Sequence, residues 1–274
     1  MNETLKRLLS GVVYIALILI VTSYSVTSFY VLFGVFMLIA IYEFCQLVHL
    51  NNIFPLLFGS FIYTLATYFK KQCLADSNHT NDVLLLMATL FVSVKCLHLL
   101  LVSKKEKIDK ISKYIYLIGY VIFPFILISK IPFGKYDQYN SQIIISIFIL
   151  IWTNDTFAYI VGKSIGKHKL IERISPKKTV EGFLGGMLFS IIAGILISKF
   201  YIGGSILIWT ISPIIISIFS TLGDLIESKF KRIAAVKDSG NIMPGHGGIL
   251  DRLDSIIFVA PFVYLFYQIL YYVS

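Results

Sequence analysis

Residues 182–222 read GFLGGMLFSIIAGILISKFYIGGSILIWTISPIIISIFSTL, and Lys199 is the one charged side chain among them. A helix crossing the hydrocarbon core of a bilayer needs about 20 apolar residues, within a range of roughly 17–25. The stretch supplies two such lengths, parted at Gly203-Gly204, a natural turn. It therefore reads as a transmembrane helical hairpin, and a polar loop lies at each of its ends.

The rest of the chain repeats the pattern. Hydrophobic residues make up 57% of the 274, charged residues only 14%, and the mean hydropathy is +0.81. A soluble domain is about 45–50% apolar, so this composition calls for an apolar solvent. Nine spans are predicted, at roughly 9–25, 27–47, 53–69, 83–102, 112–129, 141–161, 182–200, 203–222 and 255–273. Tyr24-Ser25-Val26-Thr27-Ser28 is a weak hinge between the first two; read as one helix, they would reduce the count to eight and flip the N-terminus. The first stretch runs into the second without a small-residue cleavage pattern, so it reads as a retained span rather than a signal peptide. Cys45, Cys73 and Cys96 lack paired spacing, which argues against a disulfide framework or a zinc site.

Charge orients the spans. The chain carries 24 Lys and Arg against 15 acidic residues, a net charge of +9. In a membrane protein such a surplus belongs beside anionic headgroups on the cytoplasmic side rather than on nucleic acid. With the N-terminus inside, Lys6 and Arg7, five bases in 103–113, six in 162–181 and five in 223–254 put eighteen on one side. Lys70, Lys71, Lys130, Lys135 and Lys199 fall on the other, and Lys95 lies within a span. The expected fold is an all-α polytopic integral membrane protein with a cytoplasmic N-terminus. Residues 1–140 hold about five spans. Residues 141–274 hold about four, together with the two long cytoplasmic loops, 162–181 and 223–254, that form the site.

The second of these loops carries the densest chemistry. From Gly223 the chain reads GDLIESKFKRIAAVKDSGNIMPGHGGILDRLDS, with carboxylates at Asp224, Glu227, Asp238, Asp251 and Asp254 and bases at Lys229, Lys231, Arg232, Lys237 and Arg252. Asp251 and Asp254 are spaced i, i+3 and share one face of a helix. Asp224 ends the eighth span. If the two helix ends pack together, three carboxylates meet at the membrane surface. Hard oxygens of this kind suit Mg²⁺, which takes one or two carboxylates plus phosphates and water. Gly245, Gly247 and Gly248 let backbone N–H groups approach an anion, and Lys231, Arg232 and Lys237 can neutralise phosphate charge. His246 either binds a phosphate or fixes the turn.

In the 154–182 segment, Asp155 lies near the inner end of the sixth span, where an ionisable residue is a functional candidate by default. Ser175-Pro176-Lys177-Lys178-Thr179-Val180-Glu181-Gly182 reads as a helix entry in which the paired lysines either hold a polyphosphate or anchor the chain to anionic lipid. Gly162–Gly166 has no preceding strand, which rules out a Walker-type loop. Lys95 either snorkels or pairs with a carboxylate, and Glu43 is placed at the inner interface. Asn78-His79-Thr80 has sequon form without secretory context to support it.

Three groups of residues together resemble the signature of phosphatidate cytidylyltransferases (CDP-diacylglycerol synthases). They are Ser228-x-x-Lys231-Arg232, Lys237-Asp238-x-Gly240 and Pro244-Gly245-His246-Gly247-Gly248-x-x-Asp251-Arg252-x-Asp254. The resemblance also takes in Asn154-Asp155, Gly166-Lys167-His168, Ser175 to Thr179 and Glu181-Gly182. Met243 stands where Leu, Ile or Phe is expected, and the first five spans are similar only in hydropathy and length. The compact size resembles bacterial members, which implies the cytoplasmic membrane with the site facing the cytoplasm.

The resemblance implies CTP and phosphatidate as substrates, CDP-diacylglycerol and pyrophosphate as products, a divalent cation, a second monovalent ion such as K⁺, and a homodimer. Asp224, Asp251 and Asp254 would bind Mg²⁺. Lys177, Lys178, Lys231, Arg232 and Lys237 would hold the phosphates, aided by Ser175 and Thr179. Asp238 would orient a base or reach the metal, and His246 and Arg252 complete the catalytic set. A CTP-using lipid kinase is the neighbouring alternative. A CDP-alcohol phosphotransferase lacks support because its DG-x-x-AR motif is absent. A transporter would place its charges nearer the bilayer midplane.

Overall fold

The computed structural model describes residues 3–68, 78–102, 108–133, 138–245 and 247–273. Helix α1 (Glu3–Tyr24) ends where Ser25 begins a new helix, α2 (Val26–Val48). The break has a local cause: Ser25 Oγ accepts from the Ser28 N–H at 3.0 Å, and Ser28 Oγ sits 3.0 Å from the Ser25 N–H. This reciprocal capping box satisfies amide groups that would otherwise be orphaned at a helix start. The hinge residues therefore separate two helices, each long and apolar enough to cross a membrane.

Helix α3 (Ile53–Tyr68) is a shorter apolar helix of 16 residues, about 24 Å long, at the place of the span expected at 53–69. Then come α4 (Asn78–Leu101), α5 (Lys110–Tyr116), a π-helical turn (Leu117–Ile122) and α6 (Phe123–Lys130). Pro124 explains that turn: it has no N–H to donate and its ring crowds the carbonyl one turn back, so the ladder widens. Helix α7 (Ser141–Ile165) leads into a β-hairpin, β1 (Lys169–Ile171) and β2 (Ser175–Thr179), which pair antiparallel. Helices α8 (Val180–Ile197), α9 (Ile208–Ile233) and α10 (Leu250–Val273) complete the chain.

Among the described residues, eight helical segments are long and apolar enough to span, with α3 as a shorter ninth. The protein is an all-α polytopic membrane protein. Two expectations change in detail. The helix entry expected over 175–182 begins only at Val180, where Thr179 caps α8 by accepting from the Gly182 N–H at 3.1 Å, and Ser175–Thr179 before it is a strand. The eighth span does not stop at 222: α9 continues to Ile233, about 39 Å in all, longer than a hydrocarbon core of about 30 Å. The turn at Gly203 holds, with Gly203 in the left-handed region at φ 69° after a π-helical end to α8.

The packing that matters to the site is close. A Cβ on Gly186 of α8 would lie 2.6 Å from the Asn154 carbonyl of α7, and one on Gly223 of α9 would lie 2.7 Å from the Asp254 carbonyl of α10. Small residues let these backbones touch, as membrane helices without a hydrophobic drive between them require. Asn154 adds a polar tie, donating from Nδ2 to Ser220 Oγ on α9 at 3.2 Å.

Candidate active site

One face of the bundle gathers the ends of seven helices. The Arg173 guanidinium of the hairpin turn donates to the Leu100 and Leu101 carbonyls at 2.7 and 3.1 Å, closing the end of α4. Glu181 accepts from the Lys167 and His168 N–H groups at 3.0 and 3.2 Å and meets His168 Nδ1 at 2.6 Å, fixing the hairpin to the start of α8. From α1, Ser10 Oγ donates to the Pro244 carbonyl and Tyr14 Oη to the Arg252 carbonyl, at 3.1 and 3.3 Å.

Between these ends lies a cavity of about 570 Å³. Its walls bring together residues far apart in sequence. Ser175, Lys177, Lys178 and Thr179 come from β2, and Asp224 and Lys231 from α9. Asp238 comes from the following loop, and Asp251, Arg252 and Asp254 from α10, with Asp155 of α7 beside them. Ile15, Trp152, Tyr159 and Phe183 add an apolar and aromatic lining.

The charges are already paired across elements. Lys178 Nζ is 2.6 Å from Asp224 Oδ2, and Ser228 Oγ donates to the other oxygen of Asp224 at 3.2 Å. Lys231 bridges Glu227, one turn back on α9, and Asp251 Oδ1 at 2.6 Å. The second oxygen of Asp251 accepts from the Ser239 N–H, the Ser239 hydroxyl and the Gly248 N–H at 2.9, 2.9 and 2.8 Å. Asp254 is buried and accepts the Ser255 N–H at 2.7 Å. The helical spacing of 224, 227, 228 and 231 puts all four on one stripe of α9.

Several residues expected at the site take other positions. Arg232 and Lys237 are exposed and do not line the cavity. Gly245 packs on the Arg7 side chain, and Gly247 adopts φ 87° in a turn closed by the Met243 N–H donating to the Gly247 carbonyl. The Gly248 N–H serves Asp251 rather than facing the cavity. His246 lies outside the described residues. Sequence reasoning puts Glu43 only at an interface, yet its buried carboxylate accepts the Ile249 and Leu250 N–H groups at 3.1 and 2.8 Å. The signal in the sequence is a lone acid in an apolar 23-residue helix.

Among the described residues, no group of three or more His, Cys, Asp and Glu side chains forms a ready cation cage. The donor set still fits Mg²⁺, because that ion takes only one or two carboxylates and completes its shell with water and phosphate. Asp224 and Asp254 supply such oxygens in the same cavity wall.

Fold and cavity define a polytopic helical membrane protein with a charged pocket, walled by lysines and carboxylates, at one membrane face. The cytidylyltransferase family model matches residues 5–270, and the chain belongs to that family. Relatives bearing the name phosphatidate cytidylyltransferase include one from Staphylococcus haemolyticus, 54% identical over 116 residues. That alignment covers 42% of this chain and 44% of the relative. Another, from Bacillus subtilis, is 48% identical over 136 residues, covering 47% of this chain and 48% of the relative. The chain thus spans about half the length of the relatives it matches.

Proposed function

We propose that the protein transfers the cytidylyl group of CTP to phosphatidate, giving CDP-diacylglycerol and pyrophosphate. The observation that carries this reading is the cavity lined by Lys177, Lys178, Asp224 and Asp254 together with apolar Ile15, Trp152 and Phe183. Such a place admits a lipid headgroup whose chains stay in the membrane and a nucleotide arriving from water.

The nucleophile is an oxygen of the lipid phosphate. A phosphomonoester's second pKa is about 6, so this oxygen is anionic near neutral pH and no side-chain base is required. It forms a bond to the α-phosphorus of CTP as the bond from that phosphorus to the bridging oxygen breaks, and pyrophosphate leaves with the electron pair. Catalysis then rests on alignment and on neutralising charge. Lys177 and Lys178 hold the triphosphate, and exposed Arg232 and Lys237 raise the positive potential at this face. Asp224 and Asp254 would hold Mg²⁺, which neutralises phosphate charge when bound. Asp251 joins them only by exchanging the Lys231 ammonium; as it stands, it orders the Ser239–Gly248 turn. The predicted topology assigns eighteen Lys and Arg to the side of the two site-bearing loops, which supports a cytoplasmic cavity under the positive-inside rule. The enclosing membrane is the bacterial cytoplasmic membrane.

The test uses purified protein in detergent with Mg²⁺, phosphatidate and CTP labelled at the α-phosphate. Label should pass to the lipid. Label that stays water-soluble with a folded sample refutes the reaction, and lipid labelled only from γ-labelled CTP identifies a kinase instead.

A further inference from the structure

Glu43 belongs to none of the elements that supply the cavity's lysines and carboxylates. It sits on α2 and is only 2% exposed. Besides the Ile249 and Leu250 N–H groups, it meets the Ser239 hydroxyl at 3.4 Å. All three partners lie between Ser239 and the first residue of α10, and the Ser239 hydroxyl, whose proton goes to the nearer Asp251, is a neighbour rather than a donor to Glu43. Room for the carboxylate exists because Gly240 and Gly248 have no Cβ: one on Gly240 would run into Glu43 Oε1, and one on Gly248 would lie 2.5 Å from Oε2.

A buried carboxylate needs donors wherever it stands, so satisfaction alone proves little. What distinguishes this one is its counterpart. Asp251 holds Ser239 and Gly248 from the other side, so two carboxylates grip one turn between them. The amides that Glu43 takes are the free donors of a helix start, where an anion is also favoured by the helix dipole.

We propose that Glu43 is a positioning residue: from the second helix it sets the placement of the 239–250 turn, and so the aim of Asp251 and Asp254 into the cavity. This rests on the reaction proposed above. The lysines taken to grip the triphosphate stand on β2, a separate element, so at saturating Mg²⁺ disturbing Glu43 affects turnover rather than nucleotide affinity.

The full chain carrying Glu43→Gln is compared with wild type in detergent for kcat, KM for CTP, unfolding midpoint and amide hydrogen exchange across 239–252. A neutral amide holds the Ile249 and Leu250 N–H groups more weakly than a carboxylate does. On that ground kcat falls by about tenfold or more and Ile249 and Leu250 exchange faster by a similar factor, while KM stays within about twofold. Glu43→Asp, which keeps the charge, recovers part of kcat. Gly240→Ala, which crowds the carboxylate, reproduces the loss and decides the matter if Glu43→Gln does not fold. Wild-type kcat in the folded variants overturns the proposal, as does unchanged exchange at 249–250. If folded wild type makes no CDP-diacylglycerol, the reaction reading fails on its own, and the exchange measurement still judges whether Glu43 holds the turn.

Discussion

Lys231 stands between two carboxylates, Glu227 and Asp251, and only the second faces the cavity. Removing one partner from a buried ion pair costs about 3–5 kcal/mol because a charge is left uncompensated. Lys231→Met should therefore lower the unfolding midpoint in detergent and abolish turnover. Adding Glu227→Gln should return part of the stability and none of the activity. A single variant as stable as wild type would show that the pair is well solvated. At this scale the sequence is informative about spacing and silent about partners. The i, i+3 interval of Asp251 and Asp254 places both at the start of α10. The i, i+4 spacing can suggest the Lys231–Glu227 pair, but nothing local indicates that Lys231 also reaches Asp251, or that Ser239 gives its N–H to Asp251, since those two partnerships cross a loop whose path depends on tertiary contacts.

Hydropathy locates the helices and misjudges where they end. It cuts the eighth span at Leu222 because apolar residues run out there, yet the polar residues 224, 227, 228 and 231 continue the helical period to Ile233. An overlong helix that leaves the bilayer still helical is how α9 delivers Asp224 and Lys231 to the cavity. The hairpin at 169–179 escapes a sequence reading for the opposite reason. Its strands are 3 and 5 residues long and hold by pairing with each other and by the Glu181 contacts, none of which a pattern reveals. The α7–α8 crossing is the element-scale weak point. Gly186→Val inserts bulk where the Asn154 carbonyl already touches, and overpacking of this kind costs typically about 1–3 kcal/mol. Its effect should be a lower melting midpoint with a loss of turnover, because β2 and α9 would no longer hold Lys178 against Asp224. Unchanged activity would mean that the crossing does not set the site.

At the scale of the molecule, the alternation of spans is readable from charge alone. Contacts agree with it: the N-terminal end of α1, the C-terminal end of α2 and both site-bearing loops meet on one face. Cysteine labelling checks its orientation. With Cys73 replaced by Ser, Lys237→Cys should react with an impermeant maleimide only after cells are opened, and Ser205→Cys should react in intact cells. The reverse pattern would turn the protein over. What charge counting does not show is that residues 1–140 reach into the site, through Tyr14 and Glu43. Contacts between distant spans leave no local trace.

The ion pair between Lys178 and Asp224 carries one more consequence for the proposed reaction. Each partner is the natural receptor of a different ligand, the ammonium of a triphosphate and the carboxylate of a cation. Either ligand arriving alone must break the pair and leave a stranded charge; arriving together, they replace it completely. The two affinities are then thermodynamically linked, each tightening the other by the same factor. The resting pair thus acts as a gate with two keys, favouring the nucleotide that brings its own cation.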